Sequence, residues 1–97
     1  MAVHAVVLIQ CEIDEIPEAA QAIAGLDGVS EVYSVAGEFD LVAIVRVANH
    51  DDLANVIPGG IAKVEGVART ETLIAFQVFS AHDLERLFSL GFDEAGS

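Results

Sequence analysis

Three stretches of this chain, VHAVVLIQ (3–10), FDLVAIVRV (39–47) and TLIAFQVF (72–79), carry apolar, often β-branched residues at consecutive positions. Such runs read as strands. Side chains along a strand point to opposite faces in turn, so a sheet covered on one side alternates apolar with polar residues. These runs do not alternate, apart from isolated interruptions such as Gln77. Both faces of the sheet they form must be shielded from water, and few architectures available to a chain of 97 residues can do that.

That length holds one ordinary domain, since two would be too small for real cores. The hydrophobic fraction of 54% excludes a disordered acidic tail, so the net charge of −12 belongs on the outside of a folded body. The charge also disfavours nucleic acid and anionic membranes. Neutralising phosphates takes clustered cations, and Arg46, Lys63, Arg69 and Arg86 are scattered. No direct nucleic-acid contact and no membrane partner are expected. Cys11 has no disulfide partner, and MAVHAVVLIQCEIDE has no basic leader. No run approaches the roughly twenty apolar residues of a membrane span. The expected setting is soluble, reducing and cytoplasmic.

Between the strands, DEIPEAAQAIAGLDG reads as a helix. Asp14 or Glu15 is a candidate cap, Pro17 fits the first turn, and Ala19, Ala20, Ile23 and Ala24 recur at helical spacing up to Gly25. Residues 29–36 and 39–47 read as a hairpin turning at Gly37-Glu38. A second helix starts at His50-Asp51-Asp52 and carries Leu53, Val56 and Ile57. Pro58-Gly59-Gly60 breaks it, because proline costs about 3 kcal/mol and glycine about 1 inside a helix. An extended segment then runs from Gly66 to near Phe79. AHDLERLFSLGF reads as a last helix and EAGS as a frayed tail.

The segments IAGLDGVSEV (23–32) and IAKVEGVART (61–70) align in register, each a helix end turning into a strand. Two such half-units in one antiparallel sheet give an α+β, ferredoxin-like βαββαβ fold, with two helices on one face of four strands. The other face then stays bare. Its exposed apolar area would reach several hundred square ångströms, at or beyond the upper range for monomers. Burying it against a second copy yields on the order of 10 kcal/mol before association entropy. A homo-oligomer is the expected state. The alternative roof is the C-terminal helix, through Leu84, Leu87 and Phe88.

No catalytic constellation stands out. His4, His50 and His82 lack metal-site spacing, Cys11 has no zinc-motif partner, and Glu12, Asp14, Glu15 and Glu18 read as a solvated helix entrance. No metal or other cofactor is expected. Two polar stretches interrupt the apolar pattern: Gly37-Glu38-Phe39-Asp40 and Arg69-Thr70-Glu71-Thr72. A glycine at 37 permits positive φ and bares backbone N–H groups for a carboxylate. Asp40 suits an ammonium group, while the Thr70 and Thr72 hydroxyls share one strand face as donors and acceptors. Together they fit an amino-acid-sized zwitterion. Taken alone, a glycine hairpin and strand threonines are the simpler reading.

GVSEVYSVAGEFDLVAIVRV followed by KVEGVARTETLIAF resembles the ligand-binding and oligomerisation domain, or RAM domain, of the Lrp/AsnC transcription regulators. The likeness covers about residues 3–79. Its most specific parts are the Gly-x-(Tyr/Phe)-Asp turn, with Phe39 where Tyr is usual, and the Gly-Val-x-x-Thr-x-Thr strand entry. The resemblance implies dimers packed through their sheets, rings of dimers such as octamers, and amino-acid effectors bound in clefts between dimers. Gly37, Glu38, Phe39 and Asp40 would then line the turn side of the cleft, and Thr70 and Thr72 the strand side. It also implies a stand-alone RAM protein, with residues 1–80 as the domain and 81–97 as a helix and tail. No room is left for a helix-turn-helix. Such a protein senses an amino acid without catalysis and mixes with full-length regulators. Two other readings stay open: a small dimeric ferredoxin-like barrel enzyme of monooxygenase or isomerase type, and a purely structural member of mixed rings.

Overall fold

The computed structural model describes residues 2–79 and Ala81. Apart from Ala81, the expected C-terminal helix and tail lie outside the described residues. The chain forms β1 (Val3–Cys11), a 3-10 turn (Ile13–Glu15), α1 (Ile16–Ala24), β2 (Val29–Ser34), β3 (Leu41–Val47), α2 (Asp52–Val56), a second 3-10 turn (Ile61–Lys63) and β4 (Val67–Ile74). The strands form one sheet in the order β2-β3-β1-β4, antiparallel throughout. This is the expected ferredoxin-like βαββαβ topology.

Every second residue of β1, namely Ala5, Val7, Ile9 and Cys11, is buried, as are Leu41, Ala43 and Val45 of β3. Onto them pack Ala19 and Ile23 of α1, Leu53 and Val56 of α2, and Ile57 and Ile61 beyond it. Both helices therefore cover the same face. α1 has Pro17 in its first turn, but the cap expected from Asp14 or Glu15 is not made. The 3-10 turn leads into the helix instead, and Glu15 occupies the cap position with no side-chain hydrogen bond. α2 is shorter than the expected His50–Ile57. Its entrance is tied by Asp52, whose Oδ2 accepts from the Asn49 amide at 3.2 Å, and it gives way before Pro58-Gly59-Gly60 as expected.

The internal repeat is a structural repeat. In each copy the chain leaves the helix through the same pair of backbone hydrogen bonds: Leu26 N–H to the Ile23 carbonyl (3.0 Å) and Val29 N–H to that of Leu26 (3.2 Å), then Val64 to Ile61 (3.1 Å) and Val67 to Val64 (3.2 Å). Gly28 and Gly66, at equivalent positions, have φ of +94° and +96°. Only glycine adopts such angles without steric cost, so each junction depends on one.

Strand ends differ from the expected ones at the hairpin and at the end of β4. β2 stops at Ser34 and β3 starts at Leu41, so the hairpin connection is longer than Gly37-Glu38. β4 stops at Ile74, which pairs with Ala5. The Ala75 amide still reaches the His4 carbonyl at 2.9 Å, but the β1/β4 pairing goes no further although β1 extends to Val3. Phe76 (99% exposed), Val78 and Phe79 follow, all exposed.

Directly paired residues share a face. The register therefore places Val6 and Leu8 of β1, Val42 and Ile44 of β3, Tyr33 of β2 and Leu73 of β4 together on the face away from the helices. Leu73 is 53% and Tyr33 49% exposed. Polar residues bound this apolar field, and by the same register Glu71, opposite Leu8, and Glu31, opposite Ile44, lie on this face along the two edge strands. Arg46 and His4 sit at one end, with Arg46 Nε donating to His4 Nδ1 at 3.4 Å, and Gln10 and Arg69 sit at the other.

Candidate functional site

The chain crosses from β2 to β3 over the end of β1. Gly37 makes the bend with a φ of +142°, and the Val35 amide closes the connection on the Asp40 carbonyl at 3.0 Å. Asp40 is tied to β1 twice. Its amide donates to the Ile9 carbonyl at 2.9 Å, and its Oδ2 accepts from the Cys11 amide at 2.8 Å. The Cys11 amide needs this partner, because the β1/β3 ladder ends at Ile9–Leu41 and the β1/β4 register shifts between Gln10 and Cys11.

Asp40 is thus a structural residue as well as a candidate ligand for an ammonium group. Asp40→Ala is expected to cost about 1–3 kcal/mol of stability by stranding a part-buried amide, with Asp40→Asn keeping most of the bond. Urea unfolding of the two variants checks this, and equal loss in both would show that the carbonyl-type acceptor is not what matters. The Cys11 thiol lies beneath, and its pKa is raised above the ordinary thiol value by burial first and by the Asp40 carboxylate second. The fold therefore favours the neutral thiol. That contribution is full below the ordinary thiol pKa and is lost as pH rises through the higher folded value. Iodoacetamide at pH 8 should label Cys11 far more slowly in the folded domain than in the urea-unfolded chain, and equal rates would contradict the burial.

The two polar stretches meet through a residue that sequence reasoning did not select. Arg69 pairs with Gln10 and so belongs to the face away from the helices. Its guanidinium lies over the Phe39 ring, 5.1 Å from the centroid, and 3.5 Å from Glu38 Oε1. Gln10 Nε2 donates to the Glu38 carbonyl at 3.4 Å. Glu38, Phe39, Asp40, Gln10 and Arg69 form one corner of the sheet.

Thr70 and Thr72 are not part of this corner. They pair with the core residues Ile9 and Val7 and point to the helix side of β4, each half-buried. They do share a strand face, but it is the opposite one. β4 is an edge strand, so only its free edge separates the two sets. The bulge beside Cys11, which decides that Arg69 and not Thr70 faces the turn, has no sequence signature.

Other features lie elsewhere. A groove of about 460 Å³ is lined by Leu26, Gly28, Val47, Val56, Asp27 and Asn55 among others, and a cleft of about 440 Å³ by Asp14, Glu15, Glu18 and Glu65 with Ala22 and Val64. None of the candidate residues borders either. His4, His50 and Cys11 are dispersed, and His82 lies outside the described residues. Among the described residues no group of three or more His, Cys, Asp or Glu side chains is placed to hold a metal ion, and no helix is long and apolar enough to cross a membrane.

Comparison with known proteins identifies the pattern. The family model described as the Lrp/AsnC ligand binding domain matches residues 4–84. An HTH-type transcriptional regulator of Pyrococcus horikoshii, PH1916, is 37% identical over 59 residues, 61% of this chain and 39% of that protein. The chain thus spans about two fifths of the length of that relative. Among solved structures, TTHA0845 from Thermus thermophilus superposes with a TM-score of 0.77 at 45% identity, covering 80% of this chain and 98% of that one. AsnC of E. coli superposes with a TM-score of 0.74 at 26% identity, over 81% and 55% of the two chains.

Proposed function

We propose that this chain, which belongs to the Lrp/AsnC ligand binding domain family, is a self-assembling sensor that binds an amino acid in a crevice between subunits. The domain is a non-enzymatic, regulatory one, as the regulators it matches indicate. The observation that carries the proposal is the division of the candidate residues. Glu38, Phe39 and Asp40 gather at the turn corner, whereas Thr70 and Thr72 lie across the edge of β4. The two sets face opposite sides of the sheet, so a second copy seated at that edge would complete each of them.

The uncovered face supports assembly. Val6, Leu8, Val42, Ile44, Tyr33 and Leu73 form a contiguous apolar field, and packing two such fields together gives an isologous dimer. Contacts near the β4 edges would then join dimers into a ring, such as an octamer. Ligand binding that differs between assemblies shifts their populations, by no more than its differential affinity. A stand-alone mode, in which DNA contact is left to full-length regulators that join the ring, is supported by the Thermus thermophilus chain, 98% of which the match covers. A cytoplasmic setting goes with this reading.

Titration calorimetry against the twenty amino acids, with light scattering on the same samples, tests the proposal. At least one amino acid should bind to an oligomer. Silence across the whole panel with the oligomer intact would leave only a structural role in mixed rings.

A further inference from the structure

We propose that Arg69 holds the carboxylate of the bound effector, with Asp40 on the other side of β1 available to its ammonium group. This rests on the amino-acid-binding reading above and gives it a polarity. The end of β1 is flanked by opposite charges. On the β4 side Arg69 is the cross-strand partner of Gln10, and on the β3 side Asp40 is bonded to Ile9 and Cys11. A zwitterion laid across residues 9–11 meets a cation with one end and an anion with the other.

The guanidinium is prepared for such a contact. It lies over the Phe39 ring, and a planar fork of donors matches a carboxylate in two-point geometry. Its acceptor in the chain is Glu38 Oε1, at 3.5 Å, with the two side chains 56% and 76% exposed. A pair that long and that wet is weak, so the donors are easily transferred to a ligand. Glu38 acts as an internal stand-in that an incoming carboxylate displaces. The charge balance demands such a cation. On a chain of net charge −12 the general field repels anions, and of the described basic residues only Arg69 stands at this corner, Arg46 being beside His4 and Lys63 in the second 3-10 turn.

The test titrates the full chain and the variants Arg69→Ala, Arg69→Lys and Glu38→Gln with each of the twenty L-amino acids, and repeats each binder as its α-carboxamide. Circular dichroism and light scattering are run on every sample. Arg69→Ala should weaken binding about 10- to 100-fold, the loss of a charged hydrogen bond, and Arg69→Lys less. The carboxamide should bind the unaltered chain as poorly as the free acid binds Arg69→Ala, and should not distinguish the two proteins. Glu38→Gln should bind more tightly, its competing carboxylate gone. If Arg69 merely braced the turn, Glu38→Gln would weaken binding as Arg69→Ala does, and that result overturns the inference. Undiminished binding by Arg69→Ala, or by the carboxamide on the unaltered chain, overturns it too while leaving amino-acid binding intact. An unaltered chain that binds none of the twenty removes both. The carboxamide comparison needs no substitution, so undiminished carboxamide binding overturns the inference even where a variant fails to assemble.

Discussion

Gly28→Ala is expected to remove about 2–5 kcal/mol of folding stability, a large part of the roughly 5–15 kcal/mol that a domain has in total. The backbone φ of +94° costs an L-residue about 1–2 kcal/mol. In addition, a Cβ at this position would stand 2.7 Å from Val56 Cγ2 and 3.1 Å from Val47 Cγ1, and overpacking of a filled core costs about 1–3 kcal/mol. Both valines belong to rigid elements, one in α2 and one at the end of β3. Gly66→Ala is the internal control. Its φ of +96° is nearly the same, but its Cβ would meet Glu15, at Oε2 2.7 Å and at Cβ 2.9 Å away; the carboxylate can swing into solvent, and the Cβ moves with a 3-10 turn that has no buried residue to hold it. Its expected cost is about 1–2 kcal/mol. Urea unfolding should show the Gly28→Ala midpoint falling further than that of Gly66→Ala at unchanged slope. Equal losses would mean that α2 yields to the new methyl group and that packing around Gly28 is loose.

The second large effect is on assembly. Val6 lies in the middle of the uncovered face, between Ile44 on β3 and Leu73 on β4. In one protomer Val6→Asp puts a carboxylate on a half-buried surface, which a folded chain tolerates. In an isologous dimer the same change buries two unpaired carboxylates, since each symmetric contact is altered twice. Each uncompensated buried charge costs several kcal/mol, so the dissociation constant should rise by more than about a thousandfold, the equivalent of roughly 4 kcal/mol. Light scattering should report a monomer with an unchanged circular dichroism spectrum. A Val6→Asp protein that keeps the assembly of the unaltered chain would show that the copies meet elsewhere.

Much of the fold was legible because the relevant signals are local. The apolar runs, Pro17, the Pro58-Gly59-Gly60 break and the paired Ile-Ala…Gly-Val segments each report on a few neighbouring residues, and together they leave few topologies. The bare apolar face followed from the lack of alternation in 3–10 and 39–47 and is present. The cap at Asp14 or Glu15 failed because a 3-10 turn, which a helical apolar pattern does not reveal, precedes α1. The reach of β4 to Phe79 failed because an apolar run carries no mark of where its ladder stops, and pairing with β1 ends at Ile74. The site was half legible. Gly37 to Asp40 stood out as a polar turn, but which of Arg69 and Thr70 meets it depends on one skipped residue in β4, a property of pairing and not of composition. The bond from Asp40 to the Cys11 amide spans 29 positions of chain and arises only once the ladder has ended.

The edge position of β4 bears on how such a sensor would respond in a cell. With the proposed half-sites on opposite sides of a terminal strand, one molecule by itself offers only a fragment of the grip. Saturation then depends on the amount of protein as well as on the metabolite, and each promotes the other by the same free energy. Dilution would empty the crevices at a fixed nutrient level, and abundant synthesis would fill them. The quantity being sensed becomes the product of two concentrations, so the gene's expression level sets the threshold at which the nutrient is noticed.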